Sequence, residues 1–203
     1  MTLQNRVLPD GSIVALAVRG DMMGNRGILH RPDRTLGQAR WRHSHWIICA
    51  LAFKGRHREV MTGRSWTELF FLDEAVALAA GHRPCAECRR EAYGRFRSAW
   101  QAATGTMPSA AKMDHALHQA RIAPGTRLQA TFRADATLLP DGCFFRWQDA
   151  FWLARGPEAL RFSPAGYDFR TARPAEVVDV LTPLPTVRVL AQGYSPLLHG
   201  SAR

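Results

Sequence analysis

Two cysteines separated by two residues, Cys85 and Cys88, constrain this chain more than any other feature. They lie within residues 81–90, between two stretches whose apolar spacing is helical. A Cys-x-x-Cys turn brings both sulfur atoms to the same side of the chain, where they can bind one tetrahedral metal ion. Such a pair supplies half of a zinc site, so the other ligands must come from a distant part of the sequence.

Cys49 and His45 are the residues we expect to complete a Cys₃His site. Residues 45–54 form the clearest strand pattern, and Cys49 and His45 fall on the same face of it. His43 and His57 are alternative fourth ligands. The alternatives to metal binding are a redox pair, a disulfide between the close cysteines, or buried thiols. No thioredoxin-like βαβ pattern, which is typical of a redox pair, surrounds these cysteines.

The local electrostatics of Cys88 favour a thiolate, which is the form that binds a metal. We expect Cys88 to lie in the first turn of a helix over residues 86–103, where the helix dipole lowers a thiol pKa. Arg83, Arg89 and Arg90 add positive charge nearby. The pattern therefore predicts bound Zn²⁺ in a structural role, whereas Cys143, in a strand-like run, is predicted to be a core residue.

The formal net charge is +10, and 25 of the 27 basic residues are arginines. Residues 19–66 contain ten basic and three acidic residues, and so carry +7 of that charge. Such a segment is typical of proteins that contact DNA or RNA, although an arginine-rich genome gives the same bias. The predicted nucleic-acid contacts are Arg26, Arg31, Arg40, Arg42, Lys54, Arg56 and Arg58.

The patterns predict an α+β fold: a small antiparallel sheet and central helices, followed by a β-rich C-terminal part. We expect helices over residues 74–80, capped by Asp73 and ended by Gly81, and over residues 110–122, capped by Ser109. The predicted early strands are 11–19, 45–54, 57–61 and 66–72, and the later ones are 128–132, 142–147, 150–154, 159–163, 177–181 and 186–190. Residues 1–125 and 126–203 are either two regions or one packed domain.

Residues 68–90, ELFFLDEAVALAAGHRPCAECRR, resemble the second half of the metal-binding module of the DNA repair protein Ada. Both have an aromatic strand, a helix with an acidic cap and paired alanines, and Arg-Pro-Cys-x-x-Cys after a glycine. His82 stands where an aromatic residue is usual. The resemblance implies zinc at Cys85 and Cys88 and DNA as a partner. That family's other ligands lie closer upstream than Cys49 and His45, and the remainder of this chain has no assigned family.

An enzyme is the alternative function class. Asp114, His118 and Arg121 are spaced i, i+4 and i+7 on one helix. A carboxylate that orients an imidazole makes a general base, as a nuclease or other hydrolase needs. A solvated helix face with local charge pairs gives the same pattern. Cys49 as a thiol alkyl acceptor is a second enzymatic hypothesis, and a structural or partner-binding protein without nucleic acid is the non-enzymatic one.

The first residues contain no apolar signal core, and the longest apolar runs are far too short to span a bilayer. Four cysteines with one close pair do not form the pattern of a secreted disulfide scaffold. We therefore expect a cytoplasmic protein without a membrane partner.

Overall fold

The computed structural model describes residues 2–55, 59–63 and 65–203. The fold is α+β: a mixed six-stranded sheet with helices precedes an antiparallel six-stranded sheet. The strands of the first sheet are β1 (Gln4–Val7), β2 (Ile13–Ala15), β3 (Met22–Asn25), β4 (Ile47–Cys49), β5 (Leu69–Phe71) and β6 (Arg83–Pro84).

Within the described residues, the remaining elements are the second sheet, four α-helices and two short 3₁₀ helices, Ala136–Leu138 and Gly200–Ala202. The second sheet contains β7 (Phe132–Asp135), β8 (Phe144–Trp147), β9 (Ala150–Arg155), β10 (Glu158–Ser163), β11 (Gly166–Ala172) and β12 (Val177–Val180). The helices are α1 (Glu74–Ala79), α2 (Arg90–Thr104), α3 (Ala110–Arg121) and α4 (Leu184–Ala191).

The first sheet has the strand order β2-β1-β5-β3-β4-β6 and is mixed, so the prediction of an antiparallel sheet was wrong. β1 with β5 and β4 with β6 are parallel pairs, and the other pairs are antiparallel. The strand predicted over residues 45–54 is shorter, Ile47–Cys49, because bends and turns flank it. The strand predicted over residues 57–61 lies partly outside the described residues.

The second sheet has the order β11-β10-β9-β8-β12-β7, and every pair in it is antiparallel. This confirms the β-rich C-terminal part. Of the strand predicted over residues 128–132, Phe132 alone lies in a strand, because β7 begins there. Residues 186–190 belong to α4, so the strand predicted there was wrong. Their β-branched residues suggested a strand, but Thr186, Val189 and Leu190 are buried at helical spacing and α4 packs against α2.

The predicted caps of α1 are confirmed. The Asp73 carboxylate accepts a hydrogen bond from the Val76 N–H at 3.0 Å. At the other end, the N–H groups of Gly81 and His82 donate to the carbonyls of Leu78 and Ala77, which is a Schellman motif. Gly81 has φ +83°, and a Cβ there would lie 2.5 Å from Cδ of Arg121, so both the backbone and the space require glycine.

Helix α1 lies at the centre of the molecule, with all of its residues buried. It contacts β3 and β5 of the first sheet and β8 of the second, and one apolar cluster extends through both sheets and all four helices. Cys143 is fully buried in that cluster, as predicted. The division of the chain near residue 125 stays a prediction.

Across the described residues, no helix combines the length and the apolar character that crossing a membrane requires.

Candidate metal centre

Three cysteines form a compact cluster at the edge of the first sheet. The sulfur atoms of Cys49, Cys85 and Cys88 all lie within 4.8 Å of one another. Cys49 and Cys85 are each 8% exposed and Cys88 is half-buried. None of the three forms a disulfide. The structure thus brings the predicted third cysteine to the close pair, and the cluster could hold a metal ion.

The parallel pairing of β4 and β6 explains why Cys49 meets Cys85. Ile47 lies beside Arg83 and Ile48 beside Pro84, so Cys49, the last residue of β4, lies level with Cys85, the residue that follows β6. The Cys85 N–H donates to the Ile48 carbonyl at 2.9 Å, which extends the ladder to the cluster itself. Two residues far apart in sequence therefore leave neighbouring strands at the same level of the sheet.

A tight turn returns Cys88 to the other two sulfur atoms. The Glu87 N–H donates to the sulfur of Cys85 at 3.4 Å, and the Arg89 N–H donates to the Cys85 carbonyl at 3.2 Å. Helix α2 begins at Arg90, so the prediction that Cys88 lies in its first turn was wrong. The turn that holds the two sulfur atoms occupies residues that sequence spacing had assigned to the helix.

The pKa values of Cys85 and Cys49 are shifted in opposite directions. Hydrogen bonds from Cys49 and Cys88, together with backbone N–H groups, lower the pKa of Cys85. The hydrogen bond to Cys85 and burial raise the pKa of Cys49. These shifts favour a thiolate at Cys85, which is the form that binds a metal.

The donor set fits a metal ion that prefers sulfur. Thiolates select zinc, copper(I) and iron–sulfur clusters over magnesium or calcium. A tetrahedral ion with metal–sulfur bonds of about 2.3 Å needs sulfur atoms about 3.8 Å apart. The cluster, whose members lie within 4.8 Å of one another, can reach this spacing with a small side-chain adjustment.

His45 lies apart from the sulfur cluster. Its side chain is 61% exposed, and its Nδ1 lies 2.9 Å from Oδ2 of Asp114. The strand β4 begins only at Ile47, so the alternation that placed His45 on the Cys49 face does not extend to residue 45. His43 packs against His45, with ring centroids 5.6 Å apart. The alternative ligand His57 lies outside the described residues.

A cleft of about 400 Å³ opens beside the cluster, and all three cysteines line it. Aromatic and apolar residues form most of its wall, and Glu68 and Glu87 line it as well. Phe53, Trp66 and Phe70 are aromatic residues of this wall. The cluster therefore borders a space that can admit water or a small molecule.

The structure gives Asp114 and His118 separate partners. Asp114 is 2% exposed and binds Arg83 through two hydrogen bonds of 2.7 and 2.8 Å, in addition to His45. Nδ1 of His118 lies 2.9 Å from Nη2 of Arg121, and burial together with Arg121 lowers the pKa of His118. The Asp114 carboxylate thus joins α3 to β6 through Arg83 and to the segment before β4 through His45. A catalytic role for Asp114 or His118 stays a prediction.

The predicted nucleic-acid contacts occupy different environments. Arg31, Arg42 and Lys54 are exposed, and Arg40 is half-buried with its guanidinium bonded to the Gly37 carbonyl at 2.8 Å. Arg26 is only 2% exposed, so its side chain belongs to the interior. Arg56 and Arg58 lie outside the described residues.

Sequence spacing did not reveal a buried ion pair beside the cluster. The guanidinium of Arg89, next to Cys88, binds both carboxylate oxygens of Glu74 at 2.8 and 2.9 Å. Glu74 is fully buried and also accepts hydrogen bonds from the Tyr194 hydroxyl and the Leu197 N–H. These partners of Glu74 are distant in the chain and have no local sequence signal.

Comparison with protein-family models, with curated proteins and with solved structures gave no match for the chain.

Proposed function

We propose that this chain is a zinc-binding protein in which Cys49, Cys85 and Cys88 hold one Zn²⁺ in a structural role. The single observation that carries the proposal is the mutual approach of the three sulfur atoms within 4.8 Å. Zinc suits such a site because it binds thiolates in tetrahedral geometry and has no redox chemistry. The resemblance of residues 68–90 to an Ada-type zinc module points to the same ion.

The position of the cluster supports a structural role. Strand β6 has two residues and lies at the edge of its sheet, so few ladder hydrogen bonds hold it. A zinc ion bound to Cys49 and Cys85 would join β4 to the end of β6, and its bond to Cys88 would fix the turn before α2. The ion would thus stabilise the passage from the sheet to the long helix.

Metal analysis of the purified chain tests this proposal. We expect one zinc per chain in the wild type and in Cys143→Ala, because Cys143 lies in the apolar core, away from the cluster. Cys49→Ala, Cys85→Ala and Cys88→Ala should each lose the ion, since two remaining thiolates bind zinc much more weakly. A wild-type protein that purifies and refolds without bound metal would contradict the proposal.

The fourth ligand is a separate part of the same experiment. We propose that it is water, because His45 binds Asp114 and the cleft beside the cysteines is open to solvent. His45→Ala should therefore keep its zinc, whereas loss of the ion in His43→Ala or His57→Ala would identify a protein ligand in place of water. Loss of zinc in His45→Ala with an intact fold would instead restore the Cys₃His set.

Nucleic-acid association is the second part of the proposal. Its support is the charge of residues 19–66 and the exposure of Arg31, Arg42 and Lys54. Binding of a DNA duplex or RNA strand should fall steeply between 50 and 200 mM salt, because each phosphate contact releases a counterion. The proposed nucleic-acid association is contradicted if no binding occurs at low salt, or if neither salt nor Arg42→Ala changes the binding. Either result would leave the zinc proposal unaffected.

A further inference from the structure

A second cavity, of about 400 Å³, shares no lining residue with the cysteine cleft. Its wall is formed by the turn between β1 and β2, the segment that leads to β4, and the chain at the end of α3. Four arginines line it: Arg26, Arg40, Arg121 and Arg127. We call this space the arginine cavity, and two of its arginines are almost completely buried.

Arg26 lacks a full set of hydrogen-bond partners. Its Nη1 donates to the Gly11 carbonyl at 3.1 Å, and its Nε lies 3.4 Å from Nε2 of His82. Its Nη2 is buried and has no hydrogen-bond partner among the described residues. Arg26 is thus a 2% exposed residue that lines the arginine cavity and keeps one unpaired donor atom.

Arg121 is the second buried cation at this wall, with 1% of its surface exposed. Its Nη1 donates to the Gly81 carbonyl at 2.7 Å and its Nη2 to the Ser44 carbonyl at 2.8 Å. Its Nε is buried and also lacks a partner within the described ranges. These bonds to carbonyls hold the guanidinium in place without neutralising its charge.

The two guanidiniums share one aromatic ring. The central carbons of Arg26 and Arg121 lie 4.1 and 3.6 Å from the ring centroid of Trp46, which is 3% exposed. Burial lowers the pKa of Arg26 to about 9 and that of Arg121 to about 8. Cation–π contact offsets part of the loss of hydration, but two like charges remain close together in a poorly hydrated place.

The surrounding charges do not balance this pair. In the part of the chain that the structure describes, neither Arg26 nor Arg121 forms a salt bridge. Asp10 raises the pKa of Arg26 and Asp114 raises that of Arg121, but burial outweighs both effects. The carboxylate of Asp10 also lies 3.9 Å from Arg146, and that of Asp114 binds Arg83. A buried charge without a close counterion is costly, so an anion in the cavity would stabilise the two arginines.

We propose that the arginine cavity binds the phosphate group of a small organic phosphate. Guanidinium forks match the spacing of phosphate oxygens and form charge-assisted hydrogen bonds with them. A phosphate dianion would take up the unused donors of Arg26 and Arg121, with Arg40 and Arg127 beside them. The volume of about 400 Å³ is in the range of small-molecule sites.

Isothermal titration calorimetry with ribose 5-phosphate and with inorganic phosphate tests the proposal. We expect one site per chain for both, no heat from ribose, and no equivalent effect of chloride at the same ionic strength. Arg26→Lys keeps the positive charge but loses the Nη2 donor, and should weaken phosphate binding about ten-fold. The double variant Arg40→Ala/Arg127→Ala should weaken it by a similar factor without changing the buried pair.

The matched control is Arg133→Lys, an exposed arginine of β7 that should leave the affinity unchanged. The proposal is overturned if neither phosphate binds the wild type, if chloride gives the same response, or if phosphate binds equally well to the double variant. The double variant keeps the test decisive even if Arg26→Lys does not fold. Because the arginine cavity and the cysteine cleft share no residue, failure here leaves the zinc proposal untouched.

Discussion

Cys49→Ala is expected to unfold at a lower temperature than the wild type and to lose its response to chelator. A ligand that binds only the folded state stabilises it by about 4 kcal/mol when its free concentration is 1,000 times its dissociation constant. Zinc at the cluster would act in this way, because Cys49 and Cys85 approach each other only when β4 and β6 are paired. Adding EDTA to the wild type should therefore lower its thermal midpoint by several degrees and leave Cys49→Ala unchanged.

Cys143→Ala is the matched control for this experiment. It removes a thiol of the same size from the apolar core. The Cys143 side chain is fully buried there and does not belong to the three-cysteine cluster. The thermal midpoint of Cys143→Ala should fall only because the lost sulfur leaves a small cavity in the core. EDTA should lower this midpoint further, as in the wild type. An equal response to EDTA in Cys49→Ala and Cys143→Ala would mean that the stabilising metal is bound elsewhere.

Arg89→Ala is expected to lower the free energy of unfolding by about 3–5 kcal/mol, the usual effect of removing one partner of a buried ion pair. Glu74 is fully buried, and both of its carboxylate oxygens bind Arg89. The hydrogen bonds from Tyr194 and Leu197 would remain but would leave the carboxylate without a counterion. Urea unfolding followed by circular dichroism measures the difference.

Arg90→Ala is the neighbouring control, because Arg90 is exposed at the start of α2. It should change the free energy of unfolding by less than about 0.5 kcal/mol. The double variant Glu74→Gln/Arg89→Met should recover much of the stability lost in Arg89→Ala, since it leaves no buried charge. A small effect of Arg89→Ala, similar to that of Arg90→Ala, would show that the buried pair contributes little.

Local features of the fold were predictable because their physical causes lie within a few residues. Asp73 and Ser109 cap helices as expected, since each side chain accepts from an N–H three residues later. Gly81 ends α1 in the left-handed region for the same kind of reason. These contacts depend on residue type and spacing alone, so the sequence carries them directly.

Features that depend on distant contacts were predictable only in part. The apolar pattern around Cys49 correctly suggested a strand, but not that this strand pairs in parallel with the short β6. The three predicted cysteines therefore lie together, whereas His45, beyond the end of the strand, binds Asp114. The stacking of Arg26 and Arg121 on Trp46 joins three separate segments and has no periodic signal in the chain.

X-ray absorption spectroscopy of the zinc-loaded protein tests the central claim most directly, because it counts the sulfur atoms bound to the metal. The three-cysteine cluster predicts three sulfur ligands at about 2.3 Å and one oxygen or nitrogen ligand at about 2.0–2.1 Å. Cys49→Ala should lose this spectrum, and Cys143→Ala should keep it. A spectrum with two or fewer sulfur ligands, or one that is the same in Cys49→Ala and the wild type, would contradict the account.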